Sequence, residues 1–304
     1  MSVVIPYFRG ERHLAATVDG VLHQTLVDWE LVLVDDGGSP DAAGVLGSRL
    51  REPRLRVLRQ PNRGVAAARN AGFARASPDS RYLLFLDQDD LLEPEMLATL
   101  ASYLDDHADV GMVSCDRTLI DAEGNLLPAE LAPIVRFVPK GGGRGVGEIP
   151  PDSPDTPFVS IFSHCRISPA LSLLRRSIYE AAGGWDEALG QLREDLDLWR
   201  RVALLAAVHF LPRKLVRRRV HEGEVSLSLS SAAMRRAARR LDEKWAHLEW
   251  LPERHHRQVA EAVVFRERAL LPMLWRRWAR EALRRGHLAR AANCYRHAVR
   301  HRIG

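Results

Sequence analysis

Three aspartates stand within four positions at the end of an apolar run in RYLLFLDQDDLLEPEM, residues 81–96. Neighbouring carboxylates repel one another and resist losing water, so such a cluster needs a compensating charge. Asp87 and Asp89 have a D-x-D spacing that can direct two carboxylates at one cation, and Mg²⁺ and Mn²⁺ prefer oxygen ligands. From these residues alone, a solvated acidic turn is the alternative. Asp90 is expected to cap the helix that follows.

The elements that must carry these aspartates alternate between strand-like and helical patterns. Short β-branched or apolar runs predict strands at 2–8, 29–37, 55–62 and 81–90, with amphipathic or Ala-rich helical segments between them. This alternation predicts a parallel sheet with right-handed crossovers. Because open sheets of this kind bind ligands beyond the carboxyl ends of their strands, Asp35 and Asp36 should converge with the 87–89 pair on one crevice.

A Gly- and Pro-rich segment interrupts the later part of the chain. Residues 139–157 contain five Gly and five Pro. This composition predicts a long flexible loop, either a disordered insertion or a mobile lid, and the lid is favoured because the loop interrupts a domain.

Charge is distributed unevenly along the 304 residues. Residues 231–304 hold 18 Lys and Arg against 7 Asp and Glu, whereas residues 1–230 hold 26 against 32. The pattern after Ser231 is almost wholly helical, so we expect a domain over 1–230 and a basic helical extension over 231–304. The spacing within 279–300 is typical of a helical hairpin or of one tetratricopeptide-like pair. Such an extension can contact an anionic membrane, nucleic acid or an acidic partner, or be a solvated Arg-rich face.

The sequence also bears on the compartment. The most apolar later run, residues 202–211, is ten residues long and too short to span a bilayer, and the first residues have no signal-peptide pattern. The three cysteines, Cys115, Cys165 and Cys294, have no C-x-x-C spacing, so neither a disulfide framework nor a zinc site is indicated. We expect a cytoplasmic protein that can lie peripherally at the inner face of the membrane.

Seven blocks occur in a characteristic order: VVIPYF, HQTLVDWELVLVDDGGSPD, NRGVAAARNAG, YLLFLDQDDLLEP, RRSIYEAAGGWDEAL, REDLDLWRRVA and RRRVHEGEVSLS. Over about residues 2–230 this ordered set resembles the family 2 glycosyltransferases with the GT-A fold. The resemblance implies an α/β fold with a Rossmann-like, mostly parallel sheet flanked by helices, here with a C-terminal helical extension. It also implies inverting, metal-dependent transfer of a hexosyl group from a nucleotide sugar, of the UDP type, in the synthesis of a cell-surface glycan. The acceptor would be a glycan, lipid or other hydroxyl, and no nucleic acid partner is expected.

By position, the resemblance assigns four residues to the nucleotide. Pro6 and Tyr7 would border the base, and Asp36 would accept a hydrogen bond from a uracil-like ring N–H, since an ionised Asp only accepts. Arg69 would reach the ribose or diphosphate. The alternatives are a turn-stabilising role for Asp36 and a surface position on a helix for Arg69.

The resemblance also assigns metal ligands to Asp87, Asp89 and His221, which would hold Mn²⁺ or Mg²⁺. Asp89 would bind the ion directly, and Asp87 would act on the ribose or through water. A single in-line displacement needs one base for the acceptor hydroxyl, and Asp195 is favoured over Glu194 for this role. The alternative is that these two acids only favour a helix N-terminus.

Two other functions are compatible with parts of the sequence. A nucleotidyltransferase of similar fold is disfavoured, because PYFRGERH holds a single Gly where a Gly-rich phosphate loop would stand. A non-catalytic nucleotide-sugar-binding or scaffold protein, acting through its basic helical tail, is disfavoured because the chain retains Asp36, Asp87, Asp89 and Asp195 together.

Overall fold

The computed structural model describes residues 1–128, 136–140, 145–164, 167–190, 192–221, 231–284, 286–288, 292–294 and 296–297. The chain divides into two compact units. The first comprises Met1–Ile134, Asp152–Asp155 and Arg166–Ala246, and the second comprises Val135–Pro151, Thr156–Cys165 and His247–Gly304. Residues 231–246 cluster with the first unit, and the expected division into domains after residue 230 stays a prediction.

The first unit is built on an eight-stranded, mostly parallel sheet, which confirms the predicted fold class. The strands of the chain are β1 Ser2–Tyr7, β2 Glu30–Asp35, β3 Leu55–Arg59, β4 Tyr82–Phe85, β5 Leu91–Leu92, β6 Val110–Ile120, β7 Phe137–Lys140, β8 Gly145–Glu148, β9 Ser172–Arg175 and β10 Ala207–Arg219. The large sheet has the order β3-β2-β1-β4-β9-β6-β10-β5. Its β1, β2, β3 and β4 pairs and its β6–β10 pair are parallel, whereas β9 and β5 run antiparallel to their neighbours.

Helices of the first unit connect and flank the strands of the large sheet, and the second unit has helices of its own. They are α1 Glu11–Leu22, α2 Ala42–Leu46, α3 Val65–Arg75, α4 Met96–Asp106, α5 Phe158–His164, α6 Arg176–Ala181, α7 Glu194–Leu205, α8 Ser231–Ala246, α9 His256–Phe265 and α10 Leu271–Arg284. Helix α1 is amphipathic as predicted for this segment: Leu14, Val18 and Val21 are fully buried, and Leu22 is partly buried.

The centre of the sheet explains how the site is positioned. All six residues of β1 are buried, as expected for a central strand covered on both faces. Helix α3 packs tightly over this region: a Cβ added at Gly72 would lie 2.3 Å from Val4 Cγ1 and 3.1 Å from Val34 Cγ2. Glycine at this position therefore allows α3 to approach β1 and β2 closely, which brings the first turns of α3 to the edge where the parallel strands end.

The second unit contains an antiparallel hairpin of β7 and β8 together with helices α5, α9 and α10. Its core cluster consists of Phe137, Phe265, Ala269, Leu270 and Leu274. The segment expected to be a long flexible loop, residues 139–157, contains the end of β7 and the whole of β8, whereas its role as a lid stays a prediction. Residues 141–144 lie outside the described part.

Only the beginning of the predicted 279–300 hairpin can be compared with the structure in full. Helix α10 ends at Arg284, and most of the positions after it lie outside the described residues. Among the helices that the structure describes, none is both long enough and apolar enough to cross a membrane.

Candidate active site

The ends of β1, β2 and β4 meet at one edge of the sheet because these neighbouring strands are parallel. Gln88 is the central residue of the D-Q-D segment, residues 87–89. It joins the end of β4 to the end of β1. Its Oε1 accepts a hydrogen bond from the Phe8 backbone N–H at 2.8 Å, and its Nε2 donates to the Phe8 carbonyl at 3.1 Å. No motif in the sequence indicates a role for Gln88. In the structure it fixes the acidic segment against the loop that follows β1.

Asp36 lies directly after β2 and is almost fully buried. Its carboxylate accepts hydrogen bonds from Gln60 Nε2 at 2.7 Å, from the Arg63 backbone N–H at 2.9 Å and from the Gly64 backbone N–H at 2.9 Å. This arrangement ties the end of β2 to the start of α3, so the turn-stabilising role is observed. A carboxylate offers about four acceptor positions, which leaves the contact with a nucleotide base as a prediction.

Tyr7 and its neighbours explain the D-D-G-G turn. The Tyr7 side chain is fully buried, and its hydroxyl donates to the Pro40 carbonyl at 2.7 Å. A Cβ at Gly38 would lie 2.5 Å from Tyr7 Cε1, so only glycine fits beside the ring. Asp35 accepts from the Gly38 N–H at 2.7 Å and from the Ala42 N–H at 3.0 Å. Pro6 is also buried and is paired with Val34 in the sheet, whereas the contacts with this turn come from the Tyr7 side chain.

Arg69 is not a surface residue, which corrects that alternative, whereas its contact with the ribose or diphosphate stays a prediction. It is 3% exposed, and its guanidinium donates to Asp87 Oδ1 at 2.8 Å and to Glu194 Oε1 at 3.0 Å. The guanidinium also lies 4.4 Å from the ring centroid of Trp185. Burial disfavours its charged form, but the two carboxylates outweigh this effect and raise the pKa of Arg69. Arg69 therefore bridges the D-Q-D segment to the first turn of α7.

Asn70 performs a second bridging role that the sequence analysis did not assign. Its Nδ2 donates to the Trp185 carbonyl at 2.9 Å and to Glu187 Oε1 at 3.0 Å. Its Oδ1 accepts from the Trp185 backbone N–H at 3.0 Å and from the Tyr179 hydroxyl at 3.1 Å. The R-N pair of ARNAG thus fastens the GGWDEAL turn and α7 to the edge of the sheet.

Asp89 and His221 are brought together although they are 132 residues apart in sequence. Asp89 Oδ2 and His221 Nε2 are 2.9 Å apart. Burial and the nearby charge of Asp87 raise the pKa of Asp89, while His221 opposes that rise. The ring of His13 packs 5.2 Å from that of His221, and burial, Arg219 and His221 lower the pKa of His13 to about 4. His13 is therefore neutral at physiological pH and adds no competing positive charge.

Asp90 does not cap the helix after it, which corrects that expectation. The short strand β5 and a turn separate Asp90 from α4, which begins at Met96 without a side-chain cap. Asp90 is instead buried and accepts a hydrogen bond from the Arg219 backbone N–H at 2.9 Å. Burial and the charges of Asp89 and Asp87 raise the pKa of Asp90 well above its ordinary value.

Glu194 and Asp195 occupy the first turn of α7, as the helix-start alternative expected, but their surroundings differ. Glu194 is 7% exposed and paired with Arg69, and burial together with the charge of Asp195 raises the pKa of Glu194 to about 7. Asp195 is partly exposed, with Oδ1 accepting from the Leu196 backbone N–H at 2.7 Å. Burial also raises the pKa of Asp195. The preceding residue, Arg193, has a left-handed backbone at φ 69°, a conformation that non-glycine residues rarely adopt.

Helix α7 and its neighbours also hold a buried carboxylate and two buried tryptophans. Asp197 faces away from Asp195 and is completely buried. Trp185 and Trp199 are core residues, 3% and 0% exposed, with ring centroids 5.9 Å apart. Trp185 nevertheless lies against Arg69, so its ring borders the cluster formed by Arg69, Asp87 and Glu194.

The described residues do not form a complete metal site by themselves, since no three or more of their His, Cys, Asp and Glu side chains are grouped to hold an ion. Of the predicted metal ligands, Asp89 and His221 are in direct contact with each other. Asp87 has one carboxylate oxygen engaged by Arg69. Any ion here would need further ligands from a substrate or water, which is how Mg²⁺ is commonly held in phosphate sites.

The family model described as "Glycosyl transferase family 2" matches residues 2–156, half of the chain. An uncharacterised glycosyltransferase, EpsJ of Bacillus subtilis (strain 168), is 35% identical over 102 residues, or 33% of this chain and 29% of that protein. The succinoglycan biosynthesis protein ExoW of Rhizobium meliloti (strain 1021) is 38% identical over 100 residues, or 32% of this chain and 31% of that protein. The matched part thus spans about a third of these relatives.

Solved structures share the fold at low sequence identity. TarS 1-349 of S. aureus in complex with UDP-GlcNAc has a TM-score of 0.62 and 15% identity, covering 97% of this chain and 90% of that one. GalNAc-T7 with UDP, GalNAc and Mn²⁺ has a TM-score of 0.57 and 19% identity, covering 78% of this chain and 47% of that one. At these identities the likeness concerns the fold.

Proposed function

The chain belongs to glycosyl transferase family 2, and from that premise we propose that it moves a hexosyl group from a nucleotide sugar to an acceptor hydroxyl with inversion. The observation that carries the proposal is the difference between the surroundings of Glu194 and those of Asp195. Arg69 engages Glu194 in a buried ion pair, whereas Asp195 stands partly exposed at the edge where the D-Q-D segment ends. One available carboxylate is what a single-displacement mechanism needs.

The donor is proposed to be UDP-linked. The support comes from fold neighbours crystallised with UDP-GlcNAc and with UDP and GalNAc. Asp36 lies at the end of β2 with one acceptor position in reserve, which suits a base edge that donates an N–H. The acceptor is proposed to be a hydroxyl of a glycan, lipid or other cell-surface precursor.

In the proposed mechanism, Asp195 accepts the proton of the acceptor hydroxyl as that oxygen attacks the anomeric carbon. The bond from that carbon to the nucleoside diphosphate breaks on the opposite side, so the configuration inverts. A raised pKa makes Asp195 a stronger base than an ordinary aspartate. Arg69 keeps Glu194 and Asp87 in place, and the Trp185 ring lies against the Arg69 guanidinium.

A divalent cation is proposed to join the donor at Asp89 and His221, with Asp87 acting on the ribose or through water. Asp89 Oδ2 and His221 Nε2 lie 2.9 Å apart, so these two side chains would be able to hold one ion together. The raised pKa of Asp89 also indicates a carboxylate that would be stabilised by a cation. When bound, Mn²⁺ or Mg²⁺ would offset the charge of the diphosphate.

Donor and metal binding can be tested together by thermal shift across a panel of UDP-linked and other nucleotide-linked sugars. At a hundred times its Kd, a ligand stabilises a protein by about 2.7 kcal/mol, which corresponds to a Tm rise of roughly 4 °C for a chain of this size. We expect a UDP-sugar to raise Tm in this way with Mn²⁺, and the rise to shrink markedly after chelation. Asp89→Asn should remove the Mn²⁺-dependent part.

The matched control is Asp79→Asn, which changes an exposed aspartate of the same unit. A chelation-insensitive shift that is equal in wild type and Asp89→Asn would contradict the metal proposal. Activity is measured in parallel as release of nucleoside diphosphate in the presence of a hydroxyl acceptor. Donor binding without any release or transfer would favour the non-catalytic alternative.

We further propose that the basic helices of the second unit contact anionic membrane. On α10, Arg277, Arg280 and Arg284 are exposed, and Trp278 and Leu283 are 38% and 44% exposed on the same helix. Exposed arginines beside large apolar side chains are the combination that binds anionic lipid surfaces.

Sedimentation with vesicles containing phosphatidylserine tests this contact. Replacing Arg277, Arg280 and Arg284 by Gln should weaken binding at least tenfold at low salt, because each charge near such a surface contributes separately. The control replaces three exposed arginines of the first unit, Arg12, Arg51 and Arg75, in the same way. Binding that is indifferent to both salt and the α10 substitutions would exclude an electrostatic membrane contact.

A further inference from the structure

A second charged cluster of the first unit lies on the opposite side of α7 from Asp195. Its centre is Asp197, which is completely buried. Asp197 Oδ2 accepts from Arg201 Nε at 2.9 Å and from Lys244 Nζ at 2.9 Å. Asp197 Oδ1 accepts from Trp245 Nε1 at 2.9 Å. Two of these donors belong to α8, which therefore binds the first turn of α7 through a buried carboxylate.

Lys244 has a second carboxylate partner on a different segment. Its Nζ lies 2.7 Å from Asp186 Oδ2. The other oxygen of Asp186 accepts from the Ala188 backbone N–H at 2.9 Å and so caps the short turn Glu187–Leu189. Asp186 directly follows Trp185, whose ring lies under the Arg69 guanidinium. One ammonium group thus joins the turn that carries Trp185 to the helix that carries Asp195.

The geometry gives this bridge a consequence for chemistry. The backbone of a helix is stiff over one turn, so a restraint on Asp197 restrains Asp195, two residues earlier. A buried carboxylate without its donors is strongly destabilised, so Asp197 holds its position as long as the α8 donors are present. Displacement of a catalytic group by about 1 Å can reduce a rate about a hundredfold.

We infer that Lys244 is a positioning residue for Asp195, and that α8 is part of the active-site scaffold. Lys244 acts by holding Asp186 and Asp197 at a fixed separation, which sets the first turn of α7 against the Trp185 turn. The consequence for catalysis rests on the proposed glycosyl transfer, whereas the positioning itself does not.

Lys244→Met tests the inference, because it keeps most of the apolar stem and removes the charge. The control is Lys214→Met, since Lys214 is an exposed lysine on β10 of the same unit. We expect Lys244→Met to lower kcat at least tenfold while the Kd for the donor changes less than twofold, and Lys214→Met to change neither. Lys244→Arg, which keeps a cation between the two carboxylates, should recover most of the lost kcat.

A purely structural role would give a different result: kcat, donor affinity and Tm would fall together, and Lys244→Arg would recover none of the lost kcat. That outcome, or a kcat within twofold of wild type for Lys244→Met, would overturn the inference.

Hydrogen exchange supplies a measurement that does not depend on activity. In Lys244→Met, peptides covering residues 184–198 should exchange at least tenfold faster than in Lys214→Met, with peptides from β1 and β2 unchanged. If wild type transfers no sugar from any donor, the proposed function is wrong and exchange alone decides the positioning. Equal exchange over 184–198 in the two variants would overturn it.

Discussion

Asp195→Asn should lower kcat by a factor of about 10² to 10⁴, the range found for removal of a general base. The substitution keeps the size of the side chain, and the amide oxygen can still accept from the Leu196 backbone N–H, so the helix start is preserved. What is lost is the ability to take a proton from the acceptor hydroxyl. Donor affinity measured by calorimetry should stay within about threefold, because no donor contact is assigned to Asp195.

The pH dependence gives this prediction a second measurement. A base works only when it is deprotonated, so wild-type kcat/KM should rise with pH through the pKa of Asp195 and then level off. Burial raises that pKa above its ordinary value of 3.8, which moves the rise to higher pH than for a solvated aspartate. In Asp195→Asn, the residual kcat/KM should no longer show this rise with pH. Near-full activity in the variant would exclude Asp195 as the base and direct attention to Glu194, whose pKa is raised to about 7.

Arg69→Met should affect both stability and activity. The variant keeps apolar contact with Trp185 but leaves the carboxylates of Glu194 and Asp87 without their shared cation. Breaking a buried ion pair by removing one partner is typically destabilising by about 3–5 kcal/mol, measured as the free energy of unfolding in denaturant. Transfer should fall below detection, because the D-Q-D segment and α7 lose the group that joins them. Arg69→Lys should recover little, since an ammonium lacks the fork that reaches two carboxylates.

The matched control is Arg75→Met, which changes an exposed arginine on the same helix and should leave stability within about 0.5 kcal/mol. The double variant Arg69→Met, Glu194→Gln should be more stable than Arg69→Met alone, because one buried charge is removed. If the double variant were no more stable than the single one, the buried charge of Glu194 would not be the source of the loss.

Acid should also reduce the effect of Arg69→Met. The pKa of Glu194 is already raised in the folded protein, by burial and by the charge of Asp195, so this group stabilises the fold below its unfolded pKa near 4.5 and loses that contribution as pH rises through about 7. Without Arg69, which opposes the rise, the folded pKa increases further. The stability difference between variant and wild type should therefore be largest above pH 7 and smaller near pH 5.

Much of the fold follows from local patterns. The strand over residues 2–7 was predictable because burial on both faces selects a continuous apolar run, and the helix over 11–22 because burial of one face selects apolar residues at period 3.6. It was also predictable that β2 and β4 end at the same edge of the sheet, since both run parallel to β1. The β7–β8 hairpin within and before residues 139–157 was not predictable. The Gly and Pro content of this segment indicates a loop, and most of the positions that pair the two strands lack strong strand propensity.

The site divides in a similar way. The sequence by itself determined which residues carry charge near the strand ends and near the start of α7, and the order of the blocks indicated the family. Only the tertiary structure decided their partners: Arg69 with Asp87 and Glu194, Asp90 with the Arg219 backbone, and Lys244 with Asp186 and Asp197. Glu194 lies 125 residues from Arg69 and Asp197 lies 47 from Lys244, so these contacts depend on how the elements pack. A charged residue needs a partner once it is buried. Which residue that partner is depends on the packing that buries the charge.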